Sequence, residues 1–515
     1  MRRRLRAMLS IIWFIGIGLV AFVVGAIEPA VARADSSPAA GKKRPNIIFM
    51  LSDDQGWNGL SVRMHPDMAS SKGEFFHTPS LEKLASQGMR FSATYAPAPV
   101  CSPTRISLQT GKSPAQLHWT KAAPAETGHK LVEPRLIKNI AGEETTIGEL
   151  LRAAGYATAH YGKWHIAGGG PEKHGYDESD GDTGNEYAYK FKDPNPVDIF
   201  GMAQRAEAFM AKNQKAGKPF YIQLSWNALH ASENALEATK AKYEKLATGN
   251  NSKRASTAAI TEDLDTGVGR VLDSLDRLGL AGSTYVLYMS DNGAGGGKKS
   301  GLSGGKGTVS EGGIRVPLIV RGPGVKADSW CHTPVVGFDM LPTFCEWAGV
   351  PSSKLPRGIE GGSIAGLISN AGQGSVKRTR EELVFHFPHY QSDADGPQSA
   401  ILLGKFKLMR FYEDNRVELF DLSTDIGERN DLAGRLPAEA ARLRARLEKY
   451  LAEIDAQLPT PNPEFGRETP GKSNQPNIVL VLMDDMGWRD VGFMGNTFVE
   501  TPNLDRLAQR GLVFS

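Results

Sequence analysis

The chain has 515 residues, a formal charge of +3, and 40% hydrophobic and 23% charged residues. That length can bury a large core and has room for two or three domains, and the composition is that of an ordinary globular protein. The small net charge, with no basic stripe interleaved with aromatics, gives no support to a nucleic-acid partner.

Arg2, Arg3, Arg4 and Arg6 precede an apolar stretch from Met8 to Ile27, and Ala32-Arg33-Ala34 comes next. A basic start, an apolar middle and a small-x-small end are the three parts of a secretory signal, so residues 1–34 are expected to be a signal peptide cleaved after Ala34. A membrane anchor is the alternative, since the apolar run is long enough to span a bilayer. Either way the remainder is expected to be exported, periplasmic or secreted, touching a membrane only if that segment stays uncleaved.

From Asn46 onward, apolar runs alternate with helical patterns. Asn46–Leu51, Ala157–Tyr161, Phe220–Leu224 and Thr284–Met289 read as buried strands. Thr78–Gln87 and Ala255–Leu278 carry apolar residues at helical spacing. The alternation predicts an α/β domain, a large mostly parallel sheet sandwiched by helices, over residues 35–375. Over 376–458, Ser399–Leu403, Phe406–Phe411 and Val417–Asp421 read as a meander followed by a charged helix from Pro437 to Ala456. That is a smaller C-terminal α+β subdomain with a short antiparallel sheet. Residues 459–475 are rich in Pro, Gly and Asn and read as a linker.

The last forty residues repeat the first strand and helix. Pro476 to Trp488 (P-N-I-V-L-V-L-M-D-D-M-G-W) restates Pro45 to Trp57 (P-N-I-I-F-M-L-S-D-D-Q-G-W), and Thr501 to Ser515 restates Thr78 to Ser92. The second copy is eight residues shorter between the blocks. Residues 476–515 therefore read as the truncated start of a second domain of the same kind, without a counterpart of Cys101. One strand and one helix cannot bury a full core, so a poorly packed or partner-dependent tail is expected.

Of the three cysteines, Cys331 and Cys345 suit either a disulfide or two buried thiols. Cys101 opens Cys-Ser-Pro-Thr-Arg105, where Pro103 fits a first helical turn. A helix N-terminus there would favour anions and lower a thiol pKa. A cysteine phosphatase requires an arginine six residues after the cysteine, where Ser107 stands, so that reading fails.

The strand ends carry the other candidates. Asp53 and Asp54 come after the first strand, and Asp291 and Asn292 after the strand through Met289. Ligands of open parallel sheets sit beyond the carboxyl ends of the strands, and an all-oxygen donor set suits calcium or magnesium. The alternative is a pair of solvated turns. Lys163, His165, His230 and Lys306 bring the opposite charge to the same rim, a site for a tetrahedral anion. In Phe385-His386-Phe387-Pro388-His389-Tyr390, His386 and His389 read either as substrate-binding groups at the pocket entrance or as a packed strand and turn.

Cys-Ser-Pro-Thr-Arg105 resembles the C-x-P-x-R core of the sulfatase family, and Gly155 to His165 (G-Y-A-T-A-H-Y-G-K-W-H) resembles its second signature. The D-D-Q-G-W start, the S-D-N-G segment and the G-G-K-G-T-V-S-E-G-G-I-R-V-P run extend the likeness from roughly Pro45 to Gly434. Gln109 stands where the family usually has an apolar residue, and Leu229 where many members have proline. The resemblance implies a sulfuric ester hydrolase acting on a sulfated carbohydrate or an aryl sulfate. Cys101 would be oxidised to formylglycine by a maturation enzyme. Asp53, Asp54, Asp291 and Asn292 would bind one calcium ion, Arg105 and Lys163 would hold the hydrated aldehyde, and Lys163 and Lys306 the sulfate. One hydroxyl would attack sulfur, with His230 as acid to the leaving alcohol. The other would then eliminate sulfate, with His165 as base. The rivals are a phosphoester or phosphonate hydrolase on the same scaffold, and a sulfated-glycan binding protein with an unmodified Cys101.

Overall fold

A computed structural model describes residues 44–230, 234–247, 254–294, 301–391, 395–466 and 478–513. The basic and apolar N-terminal segment lies outside them. Among the described residues, no helix is long and apolar enough to cross a membrane.

The large sheet has eight strands: β1 (Asn46–Ser52), β2 (Met89–Phe91), β3 (Ala157–Gly162), β4 (Glu178–Ser179), β5 (Phe220–Ser225), β6 (Thr284–Ser290), β7 (Leu318–Arg321) and β8 (Ser329–Cys331). Their order is β8-β2-β7-β6-β1-β5-β3-β4. The run β6-β1-β5-β3-β4 is parallel, and β7 is antiparallel to both its neighbours. β1 is an unbroken apolar run because both faces are covered. Ile48 and Met50 pack with helices α4 (Ile199–Ala216) and α5 (Ala255–Arg277). Ile47, Phe49 and Leu51 pack on the other side with α2 (Cys101–Thr110) and α6 (Met340–Trp347). Helix α1 (Pro79–Ser86) lies beside α5, whose buried Asp265 accepts from the N–H groups of Ser80 and Leu81, at 2.8 Å each.

The second sheet is an antiparallel meander of β9 (Leu383–Phe387), β10 (Gln398–Leu403), β11 (Phe406–Phe411) and β12 (Val417–Asp421). Its alternation has two buried outcomes. Val384, Ile401, Leu408 and Leu419 meet α7 (Pro437–Glu453), while Phe385, Phe387, Leu402 and Met409 meet Tyr95, Val100 and Ile314 of the larger body. A buried ionic set reinforces that second contact: Glu311 takes Arg315 at 2.6 Å and Lys407 of β11 at 2.9 Å.

Residues expected to begin a linker are pinned. Thr460 and Pro461 pair antiparallel with Val132 and Leu131, and the Asn462 side chain donates to the His129 carbonyl at 2.7 Å. The cysteine question resolves to free thiols: Cys101, Cys331 and Cys345 are all buried and unpaired.

In the repeated tail, α8 (Pro502–Arg510) forms, whereas residues 478–483, which match the body of β1, pair with no strand among the described residues. Ile478, Leu480, Leu482, Trp488 and Phe498 stand exposed. The hydrogen bonds found for 478–513 among the described residues all run within the tail.

Candidate active site

Four adjacent parallel strands, β6-β1-β5-β3, end at one rim. β1 delivers Asp53 and Asp54, β6 Asp291 and Asn292, β3 Lys163 and His165, and β5 the turn that carries His230. Helix α2 starts at Cys101 and aims its first turn at the same place, ending in a left-handed Gly111 (φ 71°). Asp54 (φ 57°) and His165 (φ 60°) also adopt left-handed backbone, the kind of local strain that a functional turn retains.

The charges interlock. Arg105 donates from Nε and Nη2 to Asp291 Oδ2 at 3.1 and 2.7 Å, and from Nη1 to the Lys163 carbonyl at 2.7 Å. Lys163 Nζ contacts Asp53 Oδ2, and Lys306 Nζ reaches Asp54 at 2.7 Å. Asp54 also accepts from Asn292 Nδ2 at 2.7 Å, and its N–H donates to Asp291 at 3.2 Å.

Three carboxylates therefore face three cations, all but the partly exposed Asp54 and Lys306 fully buried. Burial pushes the Asp53 carboxyl up, but Lys163 and then Arg105 outweigh it and hold it well below the usual range. Burial and the charge on Asp53 push Asp291 up to about 7 against Arg105 and Lys163.

The donor set fits a bound cation. Oxygens of Asp53, Asp54 and Asp291 lie within 4.8 Å of one another. Asp53 Oδ1 and Asn292 Oδ1 are buried without hydrogen-bond partners. Buried acceptors left unmatched beside gathered carboxylates are what an oxygen-binding divalent ion satisfies. Because the protein's own charges balance, such an ion leaves the centre two positive charges in excess, which suits an anionic substrate.

The helix N-terminus does not set the thiol as its position in the sequence suggests. Burial raises Cys101, and the carboxylates of Asp53 and Asp291 add to it against Lys163 and Lys306. The unmodified side chain is thus held as a neutral thiol, a poor nucleophile. Burial, then Lys163 and Arg105, lowers His165 to about 3. Burial also lowers His230, partly countered by Asp53. Both imidazoles are neutral at pH 7 before substrate arrives.

His386 and His389 are corrected. His386 is buried with Nδ1 on Ser399 Oγ (2.6 Å) and Nε2 on the Gln457 carbonyl (2.8 Å). His389 is buried with Nδ1 on Glu133 (2.7 Å) and Nε2 on Thr120 (2.6 Å). With both ring nitrogens of each engaged, neither faces a substrate; they are the packed strand and turn.

Several supporting residues carry no signal in the sequence. Ser102 Oγ lies 3.1 Å from His165 Nδ1. The Thr183 carbonyl accepts from the His165 N–H at 2.8 Å, and its hydroxyl accepts from the Trp164 N–H at 3.1 Å. Gln109, the polar departure on α2, donates to Gln223 of β5 at 2.8 Å and accepts from Tyr176 at 2.9 Å, so the buried amide is satisfied. Nothing in the spacing of these residues announces them, since each acts through a long-range contact.

The comparisons with known proteins agree with this geometry. The sulfatase family profile matches residues 45–350 and 476–515, and a profile for the C-terminal region of N-sulphoglucosamine sulphohydrolase matches 305–457. The chain belongs to the sulfatase family. It is a hydrolase of sulfuric esters. A sulfatase of Formosa agariphila is 29% identical over 84% of this chain and 92% of its own length. Human arylsulfatase A is 26% identical over 80% and 89%. Among solved structures, Ps i-CgsB in complex with k-i-k-neocarrahexaose shares the fold at a TM-score of 0.66 and 23% identity, covering 83% of this sulfatase and 95% of that chain. BT4656 in complex with its substrate D-glucosamine-2-N,6-O-disulfate gives a TM-score of 0.61 at 20% identity, covering 80% and 98%.

Proposed function

We propose that this sulfatase removes sulfate from a sulfated carbohydrate, using a formylglycine formed from Cys101 and one calcium ion held by Asp53, Asp54, Asp291 and Asn292. The observation that carries this reading is the meeting of a neutral, buried Cys101 with an oxygen-rich acidic cluster and three fixed cations. When bound, calcium supplies positive charge that favours a sulfuryl group and a deprotonated oxygen at position 101.

The protein's own groups account for the rest. Arg105 is clamped by Asp291 and the Lys163 carbonyl, so its guanidinium orients position 101 rather than roaming. Lys163 and Lys306 hold the sulfate oxygens and offset charge as the S–O bond breaks. His230 delivers a proton to the leaving alcohol, because an anionic ester beside it favours its protonated form. His165, already neutral and oriented by Ser102, takes a proton from the position-101 hydroxyl as sulfate departs. Acid–base help of this kind is typically worth about 100- to 10,000-fold.

The carbohydrate preference rests on the complexes of the two structural neighbours and on export, which the signal-like residues 1–34 support. We assign residues 35–375 to the catalytic domain, 376–458 to its C-terminal subdomain and 476–515 to the start of a second sulfatase-like unit.

The decisive test is mass spectrometry of the tryptic peptide from Phe91 to Arg105, from the full chain co-expressed with a formylglycine-generating enzyme. Conversion to the aldehyde, with release of sulfate from a sulfated sugar that Cys101→Ala abolishes, is the expected result. Unconverted cysteine, where a control sulfatase is converted, overturns the mechanism.

A further inference from the structure

A short aromatic segment is stitched to the catalytic rim by hydrogen bonds from both histidine-bearing turns. Thr183 bonds through its carbonyl to the His165 N–H at 2.8 Å, and its hydroxyl accepts from the Trp164 N–H at 3.1 Å. The next carbonyl, that of Gly184, accepts from Asn227 Nδ2 at 3.4 Å, and the Asn227 carbonyl accepts from the His230 N–H at 2.8 Å. A single turn of helix, α3 (Asn185–Ala188), starts there. Its residues therefore begin within one contact of the segments carrying His165 and His230.

This turn and the residues just beyond it differ from the rest of the rim. Tyr187, Tyr189 and Phe191 place three aromatic rings in five residues, with Lys190 and Lys192 between and after them. Tyr187 and Phe191 meet edge to face, with ring centroids 5.2 Å apart, as four-residue spacing on a helical turn allows. Lys190 Nζ sits 5.5 Å from the Tyr187 ring. Among the described residues Lys190 forms no ion pair, whereas Lys192 is held by Asn234 at 2.9 Å. Tyr189 is 46% exposed, and the Tyr187 and Phe191 rings are partly so. A ring pair anchored at a catalytic rim, with an unpaired ammonium over it, matches a sugar ring that presents C–H groups on one face and an anionic substituent at its edge.

We infer that Tyr187, Phe191 and Lys190 form a subsite for the sugar adjacent to the one that loses its sulfate, with Lys190 reading a second sulfate or a carboxylate on that neighbour. Tyr187 and Phe191 hold the ring face and Lys190 supplies the charge. The preferred substrate is then an oligosaccharide carrying at least two anionic groups. The inference rests on the sulfated-carbohydrate reading proposed above.

The test compares matured full-length enzyme with Tyr187→Ala, Tyr187→Phe and Lys190→Ala. Each is assayed on 4-nitrophenyl sulfate, which carries no neighbouring sugar, and on a panel of disulfated glycosaminoglycan disaccharides. The ratio of kcat/KM for a disaccharide to that for the aryl ester is expected to fall about tenfold in Tyr187→Ala and Lys190→Ala, mainly through KM. Tyr187→Phe should retain the ratio, and added salt should weaken the disaccharide preference in the parent but not in Lys190→Ala. An unchanged ratio, or equal losses on both substrates, overturns the subsite. Wild-type turnover of aryl and monosaccharide sulfates with none of the disaccharides also overturns it, while leaving the sulfatase reading intact. No turnover of any sulfated sugar by converted enzyme overturns the carbohydrate reading itself.

Discussion

Two stretches of this molecule carry similar sequences and differ in what surrounds them. In the first, β1 lies between β5 and β6, and α1 rests on α5 with Asp265 at its N-terminus. In the second, the matching segment pairs with no strand among the described residues, and α8 covers little. Leu84 is fully buried, while its counterpart Leu507 is 65% exposed; Ile48 is fully buried, while Val479 is 84% exposed. The local geometry nonetheless survives. Asp485 keeps the left-handed turn of Asp54, at φ 52° against 57°. The Gly492 N–H bonds to Thr501 Oγ1 at 2.7 Å, as the Ser61 N–H bonds to Thr78 Oγ1 at 3.0 Å. Turn and helix are thus written locally, whereas the strand needs partners.

The contrast is tested most directly at the duplicated acids. Asp53→Asn should lower kcat/KM on an aryl sulfate by about 100- to 1,000-fold, because it removes one donor from a preorganised site. Asp484→Asn should leave that value unchanged, as Asp484 stands exposed and is not part of the acidic cluster of Asp53, Asp54 and Asp291 found among the described residues. Loss of activity in both would mean that the tail enters a site. Chelation and calcium titration then count the sites. Activity should vanish and return, and calorimetry should find one tight site per chain although the Asp-Asp pair occurs twice.

Stability should divide in the same way. Leu84→Ala is expected to cost about 2–5 kcal/mol from urea midpoints, the range for emptying a buried leucine site, whereas Leu507→Ala should stay within about 0.5 kcal/mol. A smaller effect should track pH at Asp265. Burial raises this carboxyl to about 6 even though it accepts two backbone N–H groups. Its folded value lies above the unfolded one, so the folded state binds the extra proton. The stability it contributes is full below about pH 4 and is lost as pH rises through 6. Asp265→Asn should flatten that slope in urea midpoints measured from pH 4 to 7. Ending the chain after Gly466 should change least, leaving both kcat/KM and the main unfolding midpoint as they are.

Much of the site was legible because parallel sheets put ligands beyond their strand ends. Asp53, Asp54, Lys163, His165, Asp291 and Asn292 each come after a strand recognisable from its apolar run, and strand adjacency does the rest. The short strands β2, β4, β7 and β8 carry too few residues for a periodic signal. His386 and His389 show the opposite failure. Their aromatic neighbours suit a sugar pocket and a core equally well, and Glu133, Thr120, Ser399 and Gln457, which occupy their nitrogens, come from distant parts of the chain.

Short-range preferences and spacing were enough to set the order of strands and helices, the donors at the strand ends, the start of α2 at Cys101 and the repetition of the first unit at 476–515. Folding in three dimensions decided which of the two copies is buried, which histidines are free to act, and that Cys101 is a neutral thiol rather than an activated one. Burial and the charges around a group come from residues far away in the chain, and a pKa or an exposed face is the sum of those contacts.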